Sequence, residues 1–136
     1  MKEWLAPALG TVAVWGLWSF LPKIATQYVT PRSATVFQAL GGLVFVAIVL
    51  LTSSEKIEIH PIGTALAIVT GILGVAGAYL FLLAVSSGPV TLVTALSSLY
   101  PLATIVLAVA LLGETLTARQ VVGMVLALIA VVLVSV

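Results

Sequence analysis

The sequence predicts an all-α integral membrane protein of five transmembrane helices, and three observations lead there. The 136 residues are 62% hydrophobic and carry only five Lys and Arg and four Glu side chains, with a mean hydropathy of +1.36; a soluble domain of this length needs far more surface charge. Residues 61–113 contain no ionisable side chain other than tyrosine. A bilayer-spanning helix takes roughly 20 apolar residues, so this block alone holds two spans. Finally, proline and glycine divide the apolar sequence into pieces of about one span each.

The first span, about residues 4–28, opens at Trp4. It is too long for a cleaved leader, and no small-x-small site follows promptly. Trp4 and Tyr28 bracket it as interfacial anchors do; at ~1.5 Å per residue their rings stand about 36 Å apart, a bilayer core plus part of its headgroup zone. The second, third and fourth spans, about 31–52, 61–86 and 89–112, open at Thr30-Pro31, His60-Pro61 and Gly88-Pro89. Proline suits a first helical position because its missing N–H would have been unpaired there anyway. Gly113 closes the fourth span. Thr117, with Gln120 three residues on, forms a capping box for the fifth, about 118–136. The whole chain, 1–136, is expected to form a single transmembrane domain.

Lys2, Lys56 and Arg119 fall on the N-terminal side of this topology, and Lys23 and Arg32 on the other. Three against two is a weak positive-inside bias that fixes no single orientation.

Composition also excludes. A net charge of +1 gives no basic field for nucleic acid. The absence of cysteine removes disulfides, cysteine-held iron–sulfur clusters and thiolate zinc. His60 has no second histidine to share a metal with, there is no aspartate, and Glu3, Glu55, Glu58 and Glu114 all lie near loops or span ends. Neither a metal site nor a resident cofactor is expected. An enzyme is disfavoured too, because no nucleophile, base and orienting group occur together. Without a carboxylate deep in a span, proton coupling through such a group is not expected either.

Polar residues gather in two stripes. Thr91, Thr94, Ser97, Ser98, Pro101 and Thr104 recur at spacings of three and four along the fourth span, which places them on one helix face; Thr11, Trp15, Trp18, Ser19, Pro22 and Thr26 form a similar stripe in the first. Pro101 removes the hydrogen bond that the Ser97 carbonyl would accept, and Pro22 frees that of Trp18. In lipid each freed carbonyl must meet protein or a water-filled cavity. Two readings stay open: a substrate cavity with Pro22 and Pro101 as gating points, or structural kinks whose hydroxyls bond to carbonyls one turn back. Lys23 either snorkels to the headgroups or attracts anionic groups at a cavity mouth. Gln38 is either a cavity residue or a packing contact. Glu114 is read as a turn residue that favours the N-terminus of the fifth helix. Small residues (Ala67, Gly71, Gly74 and Ala78 in the third span, Gly41 and Gly42 in the second) suggest close packing within one bundle. Gly123, Ala127 and Ala130 would instead allow a dimer seam along the fifth.

The "WG" of "VAVWGLWSFLPK", the run "AYLFLLAVSSGPVTLVTALSSLYPLATIVLAVALLGETLT" and "RQVVGMVLALIAVVLV" resemble the EamA domain of the drug/metabolite transporter superfamily, over almost the whole chain. The most specific parts are the proline-centred fourth span ending in "LLGETLT" and Gly123. The resemblance implies a five-helix unit, half of a ten-helix inverted-repeat transporter, that moves small metabolites, amino acids or drug-like compounds, often outward, by alternating access. One unit on its own implies a homodimer with antiparallel protomers in the cell membrane. Carried over by residue, it reaches Trp15, Lys23, Tyr79, Ser97, Ser98, Tyr100 and Pro101; a basic residue often seen early in the second helix is replaced here by Gln38. With the polar stripes, the expected substrate-binding residues are Trp15, Trp18, Lys23, Gln38, Tyr79, Thr94, Ser97, Ser98 and Tyr100. The expected partners are a small-molecule substrate, the lipid bilayer and a second copy. A non-transporting membrane subunit, whose polar faces bind another protein's helices, is the other function class.

Overall fold

Helix boundaries follow the capping chemistry of the sequence. A computed structural model of the chain describes residues 4–135; Lys2, Glu3 and the final residue of the fifth expected span lie outside the described residues. The elements are α1 (Leu5–Ala25), α2 (Pro31–Thr52), α3 (Pro61–Ser87), α4 (Val90–Ser97), α5 (Tyr100–Leu112) and α6 (Ala118–Ser135). Among the described residues there is no strand. α1, α2, α3 and the pair α4–α5 are each long and apolar enough to cross a membrane. The 18 residues of α6 rise about 27 Å, close to the thickness of a hydrocarbon core, so the chain has the five apolar spans of an all-α membrane protein.

Thr30 caps α2 by accepting from the Ser33 N–H at 3.3 Å, with Pro31 as the first helical residue. His60 does the same for α3: its Nδ1 accepts from the Gly63 N–H at 3.3 Å, while the His60 N–H donates to Thr64 Oγ1 at 3.2 Å. Gly113 ends α5 with φ 68°, the left-handed conformation that costs glycine nothing. Both halves of the box before α6 are present. The Thr117 N–H donates to Gln120 Oε1 at 2.8 Å, and the Gln120 N–H to Thr117 Oγ1 at 3.4 Å.

The chain divides between Ser87 and Gly88 into two compact units. In the first, α1 and α2 both pack on α3. The buried side chains are Pro22 of α1, Ala34 of α2, and Phe81, Leu82 and Val85 of α3. These belong to the C-terminal parts of α1 and α3 and the N-terminal turn of α2, so the three helices are held together at one shared end. Elsewhere their apolar side chains, Leu43, Phe45, Leu66 and Leu73 among them, are exposed, as expected of surface that lipid covers.

Close packing of small residues within one chain is not what the structure shows. A methyl group added at Gly41, Gly42, Gly71, Gly74 or Gly123 would meet nothing within 4 Å. The buried side chains of the first unit lie at its shared end, and its glycines Gly41, Gly42, Gly71 and Gly74 lie elsewhere.

In the second unit α4 packs on α6. The fourth span is not one helix kinked at Pro101, because the chain leaves the helix earlier, at Ser98 and Leu99. Here the bonding tightens to i→i−3: the Leu99 N–H donates to the Leu96 carbonyl at 3.1 Å and the Leu102 N–H to Leu99 at 3.0 Å. Pro101 therefore sits in the first turn of α5, where its ring fits and its lack of an N–H costs little.

Candidate functional site

Within the first unit the expected residues fall on three helices around the shared end. Trp18 lies seven residues before the end of α1, Gln38 seven after the start of α2, and Phe81 six before the end of α3. All three thus stand about 10 Å into their helices from that end. Trp18 packs against Phe81 with ring centroids 5.5 Å apart and a tilt of 33°, an offset aromatic contact. Gln38 is half-buried, and its Oε1 is fully buried without a hydrogen-bond partner. An unmet acceptor of this kind costs about 1–3 kcal/mol. Tyr79 lies two residues further from the shared end than Phe81, and Thr35 of α2 three residues nearer to it than Gln38. Both line a shallow groove of about 700 Å³ together with Ile68, Ile72 and Val75. Trp15 is 53% exposed, one turn from Trp18 on the same face of α1.

Lys23 is half-buried at the end of α1. Its Nζ donates to the Val85 carbonyl at 2.8 Å. The reason lies in the sequence four residues on: the helical partner of that carbonyl is residue 89, a proline with no N–H. A cation at a helix C-terminus also meets the negative end of the helix dipole. Pro22, next to Lys23, is buried inside α1, which ends three residues later.

In the second unit Thr94 is half-buried, and Ser97, Ser98, Tyr100 and Pro101 are exposed. They cluster at the α4–α5 break, where Pro101 offers no N–H to the Ser97 carbonyl. Several hydroxyls of the two stripes are bonded within their own helices: Ser98 Oγ to the Ala95 carbonyl at 2.6 Å, Thr104 to Tyr100 at 3.3 Å, Thr11 to Pro7 at 3.0 Å, Ser19 to Gly16 at 3.0 Å and Thr26 to Pro22 at 2.9 Å. For these five the one-turn-back account holds. Among the described residues no three His, Asp or Glu side chains gather as metal ligands would.

The sequence reading missed Phe81 and Val85. Nothing in "AYLFLLAV" distinguishes the inward phenylalanine from its neighbours. Val85 did leave a signal, a helical residue four positions before a proline near a helix end.

The profile of the EamA-like transporter family matches residues 3–136. The chain is 30% identical over 122 residues to an uncharacterized protein of Methanocaldococcus jannaschii, covering 90% of this chain and 88% of that one. It is also 32% identical over 140 residues to a protein of Archaeoglobus fulgidus named an uncharacterized transporter, covering 99% of this chain and 48% of the relative. The chain thus spans about half the length of that second relative. No solved structure matches significantly. With its apolar spans and a family match from end to end, the chain is a multi-pass membrane protein and belongs to the EamA-like transporter family.

Proposed function

We propose that the protein exports small metabolites, amino acids or drug-like compounds across the cell membrane by alternating access, as a homodimer of inverted protomers, with no catalytic chemistry of its own. The observation that carries this reading is one of length. The chain aligns from end to end with about half of the Archaeoglobus transporter, so two copies supply the length of one such protein. A unit with five spans, an odd number, can complete an inverted pair only if the second copy enters the membrane the other way round. The near balance of Lys2, Lys56 and Arg119 against Lys23 and Arg32 is compatible with both orientations.

The residues taken to meet substrate are Trp15, Trp18, Lys23, Gln38, Tyr79, Thr94, Ser97, Ser98 and Tyr100, with Pro22 and Pro101 as the points that yield. Lys23 also holds the end of α3 through its bond to the Val85 carbonyl. The buried, unpartnered Gln38 Oε1 supports this, since it would gain a partner if the helices parted to admit a solute that donates a hydrogen bond. The exposure of Ser97 and Ser98 at the α4–α5 break favours the second reading, a non-transporting membrane subunit whose polar faces bind another protein's helices.

Liposomes containing only the purified chain, challenged with a panel of amino acids and cationic drugs, separate the two. Uptake or release above that of empty liposomes supports transport; none across the panel supports the subunit. Accessibility of a tag at each terminus, probed from both membrane sides, tests the inverted pair. A single orientation in the native membrane overturns it.

A further inference from the structure

The connection between α2 and α3, residues 53–60, is longer than it needs to be. Eight residues reach up to about 26 Å when extended, whereas the axes of packed helices lie about 8–10 Å apart. Both of its ends are fixed. Ser53 follows the last turn of α2 in extended conformation, φ −89° and ψ 133°, with its Oγ accepting from the Glu55 N–H at 3.2 Å. His60 is held by its own capping bonds at the start of α3. Because α2 and α3 are consecutive spans, both fixed ends lie at the same bilayer face.

The slack carries a pattern. Lys56, Ile57, Glu58 and Ile59 alternate polar and apolar, and in extended backbone successive side chains point to opposite faces. Ile57 is 74% exposed and Ile59 84%, so none of the described residues covers them. With both neighbours of the segment embedded, the apolar surface continuous with it is the bilayer.

We propose that residues 53–60 form a strap along the membrane surface, with Ile57 and Ile59 inserted at the boundary between headgroups and acyl chains and Lys56 and Glu58 turned to water. Two glutamates against one lysine leave the strap without net positive charge. Attraction to anionic lipid therefore does not drive it, and burial of the two isoleucines does.

The protein contains no cysteine, so single cysteines can be placed without background. The variants Lys56→Cys, Ile57→Cys, Glu58→Cys and Ile59→Cys, each carrying a nitroxide, are reconstituted in phosphatidylcholine vesicles and probed with oxygen and a water-soluble nickel chelate. Unchanged helix content by circular dichroism confirms that each variant folds. The expected result is an oxygen-to-nickel collision ratio several-fold higher at 57 and 59 than at 56 and 58, insensitive to high salt and to added anionic lipid. Equal and high nickel access at all four positions overturns the strap in favour of a loop in water. Exclusion of both reagents at 57 and 59 overturns it in favour of a protein contact, such as a second copy.

Discussion

The ammonium of Lys23 and the carbonyl of Val85, 2.8 Å apart, join the end of α1 to the last turn of α3. Pro89 creates the need for that bond and Lys23 meets it. A hydrogen bond from a charged donor to an otherwise unmet carbonyl contributes about 1.5–3 kcal/mol. Lys23→Met should therefore destabilise the protein by about 1–2 kcal/mol, read as earlier unfolding in detergent. Pro89→Ala in the same chain returns an N–H to residue 89 and should recover part of the loss. If Pro89→Ala leaves the Lys23→Met deficit unchanged, the carbonyl is not what Lys23 serves.

At the start of α3, His60→Ala removes the acceptor for the Gly63 N–H and should cost about 1 kcal/mol, whereas His60→Asn keeps a side-chain cap and should cost only a few tenths. Amide hydrogen exchange at Gly63 is the direct readout. Exchange should speed up in the alanine variant and stay slow in the asparagine one.

Gln38→Leu is expected to pull stability and function in opposite directions. Replacing an unmet buried acceptor with an apolar side chain should raise the unfolding free energy by about 1 kcal/mol. If Gln38 answers a solute, the same change should reduce transport at least tenfold in reconstituted liposomes. A variant that is more stable and equally active removes Gln38 from the substrate site while leaving the transport reading intact.

Pro101→Ala restores an N–H opposite the Ser97 carbonyl and should let α4 and α5 fuse through Ser98 and Leu99. Amide hydrogen exchange at Leu99 and Leu102, whose N–H groups bond three residues back, should slow as they take up i→i−4 bonds, and transport should fall more than expression does. Slower exchange with normal transport would leave the break a structural feature only.

Much of this fold was legible because proline, glycine and capping residues act locally. Thr30-Pro31, His60-Pro61, Gly113 and the Thr117/Gln120 pair mark the helix ends where the structure has them, because each satisfies or removes a specific backbone group within four residues. The place of the break in the fourth span was missed for a related reason. Proline's effect was assigned to the carbonyl four residues back within a continuous helix, yet proline is most at ease in a first turn, so the helix restarts just ahead of it. Lys23 could not be placed, since its partner is distant in sequence and identifies itself only through the proline four residues beyond. Polarity and spacing marked the hydroxyls of both stripes, but neither tells which of them bond to their own helix, as Ser98 does.

The core of the first unit, gathered at one end of three helices, gives α3 the proportions of a lever. From Val85 to Pro61 the helix runs about 36 Å, with its only buried side chains at the Val85 end. A tilt of about 10° about that fulcrum carries the far end through roughly 6 Å, more than one helical turn. Motion of that size therefore demands almost no rearrangement among Pro22, Ala34, Phe81, Leu82 and Val85.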